Sequence, residues 1–301
     1  MTRVGVISDE LWAAVDPLMP SDVGRRGHRF ADHRLILEGI AWRFRTGAPW
    51  RDLPADFGPW QTVWKRHHRF SFDGTYQRIF DELRRHWADD ELDEGMPGCC
   101  RSTRRWCAHI STPPVRPLRR TQGAESNYKN SAIAEPDDHA LGRSRGGLTT
   151  KIHALTDTAT CPVAMTLTPG QAGDNPALLP LVDGYFGAEA TVDAVGDVRL
   201  LADKAYSHPS TRTALRKRRI KHTIPERDDQ ITRRKAKGSA GGRPPSFDGE
   251  IYKQRNTVER GFNRLKQWRG IATRYDKYAL TFLGGVLLAA SILRARTAIR
   301  N

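Results

Sequence analysis

From residue 146 onward, short apolar or alternating runs take turns with helical patterns, and this order constrains the fold most. "LTTKIHALTD" and "CPVAMTLTP" predict two strands joined by a short turn. "NPALLPLVDGYF" predicts a short helix, "VRLLADKAYS" an apolar strand with a charged end, "PSTRTALRKRRI" a basic helix and "KHTIPE" a short strand. Two adjacent strands followed by helix, strand, helix and strand are typical of a mixed α/β fold.

The remainder of this half contains a basic loop and two helices. "RDDQITRRKAKGSAGGRPPSFDG" predicts a glycine- and arginine-rich loop, which either touches a nucleic-acid backbone or is a solvated linker. A long helix is predicted over 250–268, and a final helix contains "FLGGVLLAASIL" at 282–293. That apolar stretch is too short to span a bilayer and suits a buried helix, so we expect no membrane partner. The first thirty residues resemble no signal peptide, which makes the cytoplasm the expected location.

The amino-terminal part predicts a helical module. "SDELWAAVDPLMP" begins with a Ser8 cap, and "DHRLILEGIAWRFRTG" has helical spacing and ends at Gly47. "APWRDLPADFGPWQ" predicts a loop, and two short helices joined by a turn near Asp73 follow it. This pattern suits a helix-turn-helix reader of DNA, or else a small helical bundle whose basic residues are only solvated. The basic residues that fall together here are Lys65, Arg66, His67, His68 and Arg69.

The charge of the chain indicates what it binds. The 301 residues carry a formal net charge of +15, with 49 Lys and Arg against 34 Asp and Glu. Such a balance favours a polyanionic partner, nucleic acid first and an acidic membrane surface second. In "GRSRGG" the glycines lack the ending of a phosphate loop, so they predict a turn that leaves Arg143 and Arg145 available to DNA.

One acidic residue lies at the end of a predicted strand. Asp203 follows the apolar run "VRLLA". The carboxyl end of a strand in an α/β sheet faces the crevice where these folds place their chemistry. Asp203 is therefore a candidate catalytic or metal-binding residue, and the alternative is an ordinary aspartate that caps a loop.

The predicted helix over 250–268 carries polar residues where a packed helix would carry leucines. Steps of three, four and seven residues place Tyr252, Arg255, Glu259 and Lys266 on one side of it. Glu259 is a candidate oxygen ligand for a divalent cation, and Arg255 and Lys266 could hold a phosphate backbone beside that ion. Tyr252 could stack on a base or donate to a phosphate. The alternative is a solvated helix with an Arg–Glu pair.

At these residues the chain resembles a known family. "Y-x2-R-x3-E-x6-K" is similar to the signature of bacterial insertion-sequence transposases of the DDE class, insertion-sequence-five type. "DHALGRSRGGLTTKIHAL", "LTPGQAGDNPALLPL", "LADKAYSH", "GGRPPSFDGEIYKQRN" and "WRFRTGAPWRDLPADFGPWQTVWKRHHRF" resemble it as well, so the likeness covers nearly the whole chain.

The resemblance implies a fold, a reaction and partners. The fold would be a ribonuclease-H-like mixed-sheet core preceded by a small all-α domain of helix-turn-helix type. Three carboxylates would bind two Mg²⁺ (or Mn²⁺) ions for in-line phosphoryl transfer. By position, Asp203 matches the second carboxylate and Glu259 the third, while Tyr252, Arg255 and Lys266 match the rest of the signature. The partners would be terminal inverted repeats and target DNA, bound by a homodimer associated with the bacterial nucleoid.

The chain departs from the family where the first aspartate belongs. The family expects "D-S-T" there, whereas "CCRSTRRWCAHISTPPVR" stands in its place, with no Asp or Glu between Gly95 and Gln122. Codons exist for residues 101–116 whose neighbouring frame reads "VDSTVVRAHQHAAGA", with the aspartate codon straddling Ser102 and Thr103. We therefore predict that residues 99–122 are translated out of frame and that the first core strand is lost, leaving a gap in the sheet. A substitute carboxylate from Asp137 or Asp138 is the weaker alternative.

The sequence predicts three segments and leaves three alternative functions open. Residues 1–92 are predicted to be a helical DNA-binding domain, 93–130 an irregular, frame-disrupted segment and 131–301 the transposase core. The chain is expected to be a transposase impaired by its missing aspartate. The alternatives are a catalytically dead relative that occupies transposon ends, and a metal nuclease of the same fold with another substrate.

Overall fold

The computed structural model describes residues 5–22, 29–93, 104–111, 133–145, 147–187 and 198–299, and for 87–93, 104–111 and 198 it describes the backbone only. Four helices come first: α1 (Asp9–Val15), α2 (His33–Thr46), α3 (Trp60–Phe72) and α4 (Thr75–Asp93). The middle of the chain contains β1 (Arg104–Ser111), β2 (Gly142–Ser144), β3 (Gly147–Thr156), β4 (Pro162–Pro169), α5 (Leu178–Phe186), β5 (Val198–Ala202), α6 (Pro209–Lys217) and β6 (Lys221–Thr223). Five helices follow: α7 (Asp228–Ala236), α8 (Gly249–Lys253), α9 (Asn256–Lys266), α10 (Arg269–Ala272) and α11 (Ala279–Ala298).

The strands form a mixed sheet in the order β4, β3, β1, β5, β6, with the short β2 also paired to β3. β3 is antiparallel to both β4 and β1, whereas β1 and β5 are parallel and so are β5 and β6. The predicted alternation of strands and helices from residue 146 to 223 is therefore confirmed. Short turns join β2 to β3 and β3 to β4, and the parallel strand β6 is reached from β5 through the crossover helix α6.

The expected gap in the sheet is not found, and this prediction was wrong. β1 is built by "RRWCAHIS" and lies between β3 and β5. Cys107 is paired with Thr156 of β3 and with Leu201 of β5. A ladder uses only backbone N–H and C=O groups, so any extended segment can satisfy the two inner edges of β3 and β5. Side-chain pattern alone could not reveal this strand.

The two faces of the sheet are covered by different helices. Leu200 and Ala202 face one core, which α5 and α6 complete with residues such as Leu181 and Leu215. Leu201 faces the other core, which includes Val258 of α9. Successive side chains of a strand point to opposite faces, so the next residue after β5, Asp203, continues the face of Leu201. That alternation directs Asp203 toward the side where α9 packs.

The amino-terminal helices share a core with the last helix. α11 packs against α2, α3 and α4, and Ile40 and Val286 belong to the same buried cluster. α11 passes so close to α2 that a Cβ on Gly285 would overlap the ring of Phe44. The boundaries 1–92, 93–130 and 131–301 stay a prediction, with the qualification that the first and third segments contribute to one hydrophobic cluster.

A buried polar joint ties these parts together. Arg43 of α2 forms an ion pair of 2.8 Å with Asp276, and the two side chains are 4% and 6% exposed. Arg274 is fully buried and donates to Thr150 Oγ1 at 2.6 Å and to the carbonyl of His139 at 2.9 Å. Because every one of these buried charges has partners, the joint fixes the start of β3 relative to α2 and the residues before α11.

Two local predictions in the last third were wrong. The predicted basic loop over 227–249 contains α7, whose first turn carries Asp228 and Asp229 and whose last turn carries basic residues. This charge order complements the helix dipole and stabilises α7 ahead of the glycines and prolines that follow it. The predicted helix over 250–268 is divided into α8 and α9. At the break, Arg255 N–H bonds to the Tyr252 carbonyl and Val258 N–H to the Arg255 carbonyl, which are three-residue steps rather than helical four-residue steps.

The last helix is long and apolar enough to cross a membrane by length and composition, but 89% of its apolar window is buried inside the protein. It therefore has the surroundings of a core helix, as predicted for 282–293.

The amino-terminal helices also match their predicted starts and stops. The N–H of Leu11 donates to Ser8 Oγ at 3.2 Å at the start of α1, and Gly47 ends α2 with φ 71°.

Candidate active site

Asp203 lies at the carboxyl end of β5, directly after the fully buried Ala202. Its Oδ1 accepts a hydrogen bond of 2.8 Å from the Ala205 N–H and caps the short helical turn Lys204–Tyr206. The capping alternative weighed from the sequence is thus real, but it occupies only one carboxylate oxygen. A carboxylate has acceptor capacity at both oxygens, so the cap orients Asp203 without exhausting it.

Glu259 lies in the first turn of α9, next to the fully buried Val258. Val258 and Leu201 anchor α9 and β5 in the same core, so the residues that follow them, Glu259 and Asp203, come from two packed elements. The side chain of Glu259 is 45% exposed. The packing therefore holds the α9 backbone while the carboxylate keeps access to solvent.

The hydroxyl of Tyr252 connects the two carboxylates electrostatically. Burial raises the pKa of Tyr252, the Arg255 guanidinium lowers it, and the negative charges of Asp203 and Glu259 raise it further. Charge–charge interactions weaken with distance and with solvent between the groups. Both carboxylates therefore act on the pKa of one hydroxyl.

Arg255 provides positive charge at the same place. Its Nη2 donates to Glu259 Oε1 at 2.5 Å, and its guanidinium carbon lies 5.9 Å from the centre of the Tyr252 ring. Its other terminal nitrogen, Nη1, is buried and has no hydrogen-bond partner among the described residues. A buried donor without an acceptor is costly, so Nη1 adds an unfavourable term that the contact of Nη2 with Glu259 offsets.

Lys266 is the last residue of α9 and is exposed. It lies seven residues beyond Glu259, which corresponds to about 10 Å along the helix. Of the four residues predicted to form one stripe, Tyr252, Arg255 and Glu259 are thus linked by contacts or electrostatics, while Lys266 extends the same helix outward. The break at Gln254–Arg255 puts Tyr252 on α8 and Glu259 on α9.

The site has no carboxylate from the central strand. Ala108 of β1 is paired with Ala202, so His109 is next to Asp203 in the parallel register. The strand sequence "RRWCAHIS" contains no Asp or Glu. Within the described ranges, no group of three or more His, Cys, Asp and Glu side chains is arranged to hold a metal ion. The hypothetical aspartate position at 102–103 lies outside the described residues.

Asp137 and Asp138 form part of a turn, as predicted. Asp138 Oδ1 accepts a hydrogen bond of 2.8 Å from the Ala140 N–H, an interaction typical of turns. Both side chains are exposed.

Sequence reasoning did not single out Asp174, which is close to this site. Burial raises the pKa of Tyr206, and the charges of Asp203 and Asp174 raise it further. Asp174 is held by Lys151, whose Nζ lies 2.5 Å from its Oδ1. A carboxylate already paired with lysine is a weaker metal ligand, so Asp174 is better placed to shape the electrostatics around Asp203. Its position in "GQAGDNP", within a string that resembles the family, was the available signal.

The predicted DNA contacts are spread over two surfaces. Arg143 on β2 and Arg145 in the following turn are exposed, and Gly147 with φ 105° completes that turn. Lys65 on α3 is exposed, whereas Arg66 is half-buried with its guanidinium carbon 3.4 Å from the centre of the Phe30 ring. All four positions retain positive charge at or near the surface, as a polyanion-binding surface requires.

Two members of the amino-terminal basic cluster are core residues, which corrects the prediction for them. His67 is fully buried, and its Nδ1 lies 2.8 Å from the Tyr76 hydroxyl. Burial lowers the pKa of His67 well below its usual value, and burial also lowers the pKa of His68. These histidines are therefore neutral side chains that pack the helices, because a protonated imidazole would be costly to bury.

Comparison with known proteins adds independent information. Residues 117–293 match the family described as "Transposase DDE domain", and residues 7–80 match "Putative transposase of IS4/5 family". The chain is 34% identical over 149 residues to the "Putative transposase for insertion sequence element IS6501" of Brucella ovis, covering 50% of this chain and 100% of the relative. It is 36% identical over 84 residues to the "Insertion element IS402 uncharacterized 16.2 kDa protein" of Burkholderia cepacia, covering 26% of this chain and 57% of the relative.

Among solved structures, the Mos1 strand transfer complex aligns with 83% of this chain and 79% of that chain at 12% identity, with a TM-score of 0.27. A likeness this distant carries no weight for the site. The first family match, in contrast, spans more than half of the chain and contains both Asp203 and Glu259. This chain belongs to the DDE transposases of insertion sequences, of the IS4/5 type.

Proposed function

We propose that this transposase binds the terminal inverted repeats of an insertion sequence, and that Asp203 and Glu259 are two of its catalytic, metal-binding carboxylates. We further propose that DNA cleavage and strand transfer by this copy are impaired because the first catalytic aspartate is missing. The observation that carries the proposal is that Asp203, directly after β5, and Glu259, in the first turn of α9, each follow a buried residue of one shared core, Leu201 two positions before Asp203 and Val258 next to Glu259.

The proposed core is ribonuclease-H-like. In support, β1 lies centrally between the antiparallel β3 and the parallel β5, and Asp203 ends β5 beside it. A carboxylate at this end of the sheet, opposed by one on a packed helix, gives oxygen ligands from two rigid elements. Oxygen ligands of this kind fit Mg²⁺ or Mn²⁺, although the set is one carboxylate smaller than the family resemblance implies.

Each residue of the site has a distinct part in the proposal. When bound, divalent ions at such a site activate a water or 3′-hydroxyl and stabilise the leaving oxygen. Arg255 holds Glu259 in place with Nη2, and the exposed part of its side chain contacts a DNA phosphate. Lys266 contacts the DNA backbone further along α9, and Tyr252 lies beside Phe247 and Arg255, where it can stack on a base or donate to a phosphate.

The loss of one carboxylate has a direct physical consequence. A hard cation held by fewer protein oxygens binds more weakly, and the in-line geometry needed for displacement depends on its position. Binding of DNA relies on distributed positive charge and does not need that carboxylate. Cleavage and binding should therefore separate in this copy.

The DNA-binding surface is proposed to include Lys65 and Arg66 of a helix-turn-helix-type amino-terminal domain, together with Arg143 and Arg145. The exposure of Lys65, Arg143 and Arg145 supports this assignment. Joining two transposon ends requires two active sites, so a homodimer on DNA in the bacterial cytoplasm, at the nucleoid, is the expected assembly.

A catalytically dead relative that occupies transposon ends is the second candidate. It is favoured by the sequence of β1, which supplies no carboxylate to the centre of the sheet. The two candidates differ only in whether any cleavage remains.

The test uses the purified chain, duplexes with the ends of its own insertion sequence, and a repaired variant. In the repaired variant, residues 102–116 are replaced by the fifteen residues "VDSTVVRAHQHAAGA", which keeps the chain length and puts the new aspartate at position 103. We expect both proteins to shift the end duplex, and only the repaired protein to cut it with Mg²⁺ or Mn²⁺. Adding Asp203→Ala to the repaired protein should return cleavage to the level of the protein-free control.

Robust cleavage by the original chain, abolished by Asp203→Ala, would refute the proposed impairment and would exclude the dead relative. Failure of both proteins to bind the end duplex would refute the transposon-end function. Cleavage by the repaired protein that survives Asp203→Ala would refute the site assignment.

The repaired strand must also pair differently. In the present structure Arg104 is paired with Val198, five residues before Asp203. An aspartate just before Arg104 would lie about 20 Å from Asp203 along the sheet. Restoring the frame is thus expected to slide the central strand by about six residues, and an even shift keeps each side chain on its original face.

A further inference from the structure

The turn between α6 and β6 carries an arginine where helices usually end in glycine. The Ile220 N–H bonds to the Leu215 carbonyl at 2.9 Å, and the Arg219 N–H bonds to the Arg216 carbonyl at 2.9 Å. This pair of hydrogen bonds is a Schellman motif, and Arg219 occupies its left-handed position with φ 57°. Glycine is the usual residue there, because a Cβ is crowded in this conformation. The chain therefore accepts backbone strain to hold an arginine at this turn.

The ordinary role of basic residues at a helix end does not require Arg219. Cations in the last turn complement the negative end of the helix dipole, and Arg216 and Lys217 already occupy the last turn of α6. Arg218, which caps the helix, forms an ion pair of 2.7 Å with Asp183 of α5. Other residues thus serve the dipole and the contact with α5. A residue held in a costly backbone conformation is instead a reason to look for a function of its side chain.

Several basic residues come together at this turn. The exposed side chains of Arg216, Lys217, Arg219 and Lys221 form a group that we term the basic corner. In the parallel ladder of β5 and β6, Lys221 is paired with Arg199, so two positive residues are neighbours on the sheet. Like charges at neighbouring ladder positions repel each other. A bound polyanion would relieve this repulsion.

The half-buried His222 responds to the same positive field. Burial lowers the pKa of His222, and the charges of Arg212, Arg216 and Arg199 lower that pKa further. The guanidinium groups at the end of α6 and on β5 therefore act on one position of β6, in agreement with a local excess of positive charge.

The basic corner lies at the opposite end of the sheet from the proposed active site. Asp203 follows the carboxyl end of β5, whereas Arg199 and Lys221 are at the amino ends of the parallel β5 and β6. Arg199 and Asp203 are about 13 Å apart along the strand. The chain turns back after Asp203, and α6 returns it to the beginning of β6. The two ends of the sheet face opposite directions, and DNA resists bending over so short a length, so one duplex cannot lie against both.

We propose that the basic corner binds a second DNA duplex through its phosphates while another duplex lies at the carboxylate end of the sheet. The inference rests on the proposed function and adds to it a separate DNA-binding surface. A duplex carries one negative charge for about every 1.7 Å of its axis, so several residues of the corner can contact it at once. Phosphate contacts carry no sequence information, so the second duplex can have any sequence. Strand transfer joins two DNA segments, which a protein with two such surfaces can hold together.

The experiment measures whether the full chain holds two short duplexes of unrelated sequence at the same time. The first duplex is attached to beads and loaded with protein at low salt, where backbone binding does not require a particular sequence. After free protein is washed away, a second duplex with a dye is added, and the dye retained on the beads measures bridging. The original chain should retain the dye, and beads without protein should not. Titrations at several salt concentrations give the slope of log affinity for the second duplex against log salt.

Arg219→Gly is the central variant, because it removes the guanidinium and the backbone strain together. We expect it to reduce the salt slope for the second duplex by about 0.9, the value for one lost phosphate contact. Loading of the protein on the first duplex should be unchanged, and the midpoint of thermal unfolding should rise by a few degrees. Arg219→Lys is the matched control, since it keeps both the charge and the strain and should keep the slope and the midpoint. Adding Lys217→Gln to Arg219→Gly should lower the slope again by a similar amount.

Four results would overturn the inference in distinguishable ways. Full dye retention by Arg219→Gly with an unchanged slope would show that paired copies of the chain or another surface form the bridge. Retention of labelled polyglutamate in place of the second duplex would assign the basic corner to an acidic protein. A lower unfolding midpoint for Arg219→Gly would contradict the strain at this turn. Failure of the first duplex to hold any protein would contradict the proposed DNA-binding function itself, and the inference would fall with it.

Discussion

The Arg255 guanidinium bonds to Glu259 Oε1 at 2.5 Å, joining the N-cap residue of α9 to the first turn of the same helix. The two residues are four apart in sequence, the spacing at which oppositely charged side chains meet on one face of a helix. The pair keeps Glu259 oriented beside Tyr252 and leaves Arg255 Nη1 without an acceptor among the described residues. One contact thus positions both the Glu259 carboxylate and the Arg255 guanidinium of the proposed site.

The buried joint between the two halves gives a prediction about stability. Asp276→Asn removes the partner of Arg43, whose side chain is only 4% exposed. Leaving a buried guanidinium without its carboxylate should lower the free energy of unfolding by about 3–5 kcal/mol. Urea unfolding followed by circular dichroism measures this loss.

The matched control is Glu250→Gln, which breaks an ion pair with Lys253 whose side chains are 84% and 73% exposed. Exposed pairs contribute little, so this change should stay within about 0.5 kcal/mol. Equal effects of the two substitutions would mean that the Arg43–Asp276 joint is not a buried connection.

The exposed arginines of the β2–β3 turn give a prediction about DNA binding. Arg143→Ala and Arg145→Ala should each weaken binding to all duplexes to a similar degree, because phosphate contacts are blind to sequence. Each should also reduce the slope of log affinity against log salt by about 0.9, the value for one lost phosphate contact. Fluorescence anisotropy at several salt concentrations measures both quantities.

Lys253→Ala is the comparison for these arginines, since Lys253 is exposed and already paired with Glu250. Its salt slope should match that of the original chain. If the arginine variants keep the salt slope of the original chain, the β2–β3 turn is not part of the DNA-binding surface.

A buried histidine gives a prediction about pH. Burial lowers the pKa of His153 to about 4, and its Nε2 lies 2.7 Å from Thr168 Oγ1. In the unfolded chain this imidazole takes up a proton below about pH 6.5, whereas in the folded chain it stays neutral down to about pH 4. The folded state should therefore lose stability as the pH falls from 6.5 to 4, by about 3 kcal/mol from this group.

His153→Asn keeps a polar group near Thr168 and removes the titration. Urea unfolding at pH 7.5 reports the packing cost of the substitution, and the same measurement at pH 5 reports the proton linkage. The stability gap between the two proteins should narrow at pH 5. A gap that stays constant or widens would mean that His153 is not held neutral by the fold.

Some strands and helices could be predicted from the sequence, whereas others depend on contacts between residues distant in the chain. Alternation in "LTTKIHALTD" and the cap at Ser8 act within a few residues, so β3 and α1 were predictable. β1 was not, since "RRWCAHIS" has no pattern of its own and is extended because β3 and β5 offer it two unpaired edges. The burial of His67 and the pairing of Asp174 with Lys151 likewise depend on residues distant in the chain.

The candidate site was predictable in its residues but not in its arrangement. Spacing placed Tyr252, Arg255 and Glu259 on one face, and the family resemblance assigned the role of Asp203. The break in the helix and the contact of Phe247 with Tyr252 come from local hydrogen bonding and capping that a periodicity argument does not include.

The most direct test of the central claim is Mn²⁺ binding by the DNA-bound protein, measured by electron paramagnetic resonance for the original chain, Asp203→Asn, Glu259→Gln and the double variant. If both carboxylates hold the same ion, each single change should weaken binding by at least the roughly 10- to 100-fold typical of outer-shell changes at metal sites. The double variant should then lose little more than either single variant. Unchanged Mn²⁺ affinity in Asp203→Asn, or losses that simply add in the double variant, would contradict a shared site.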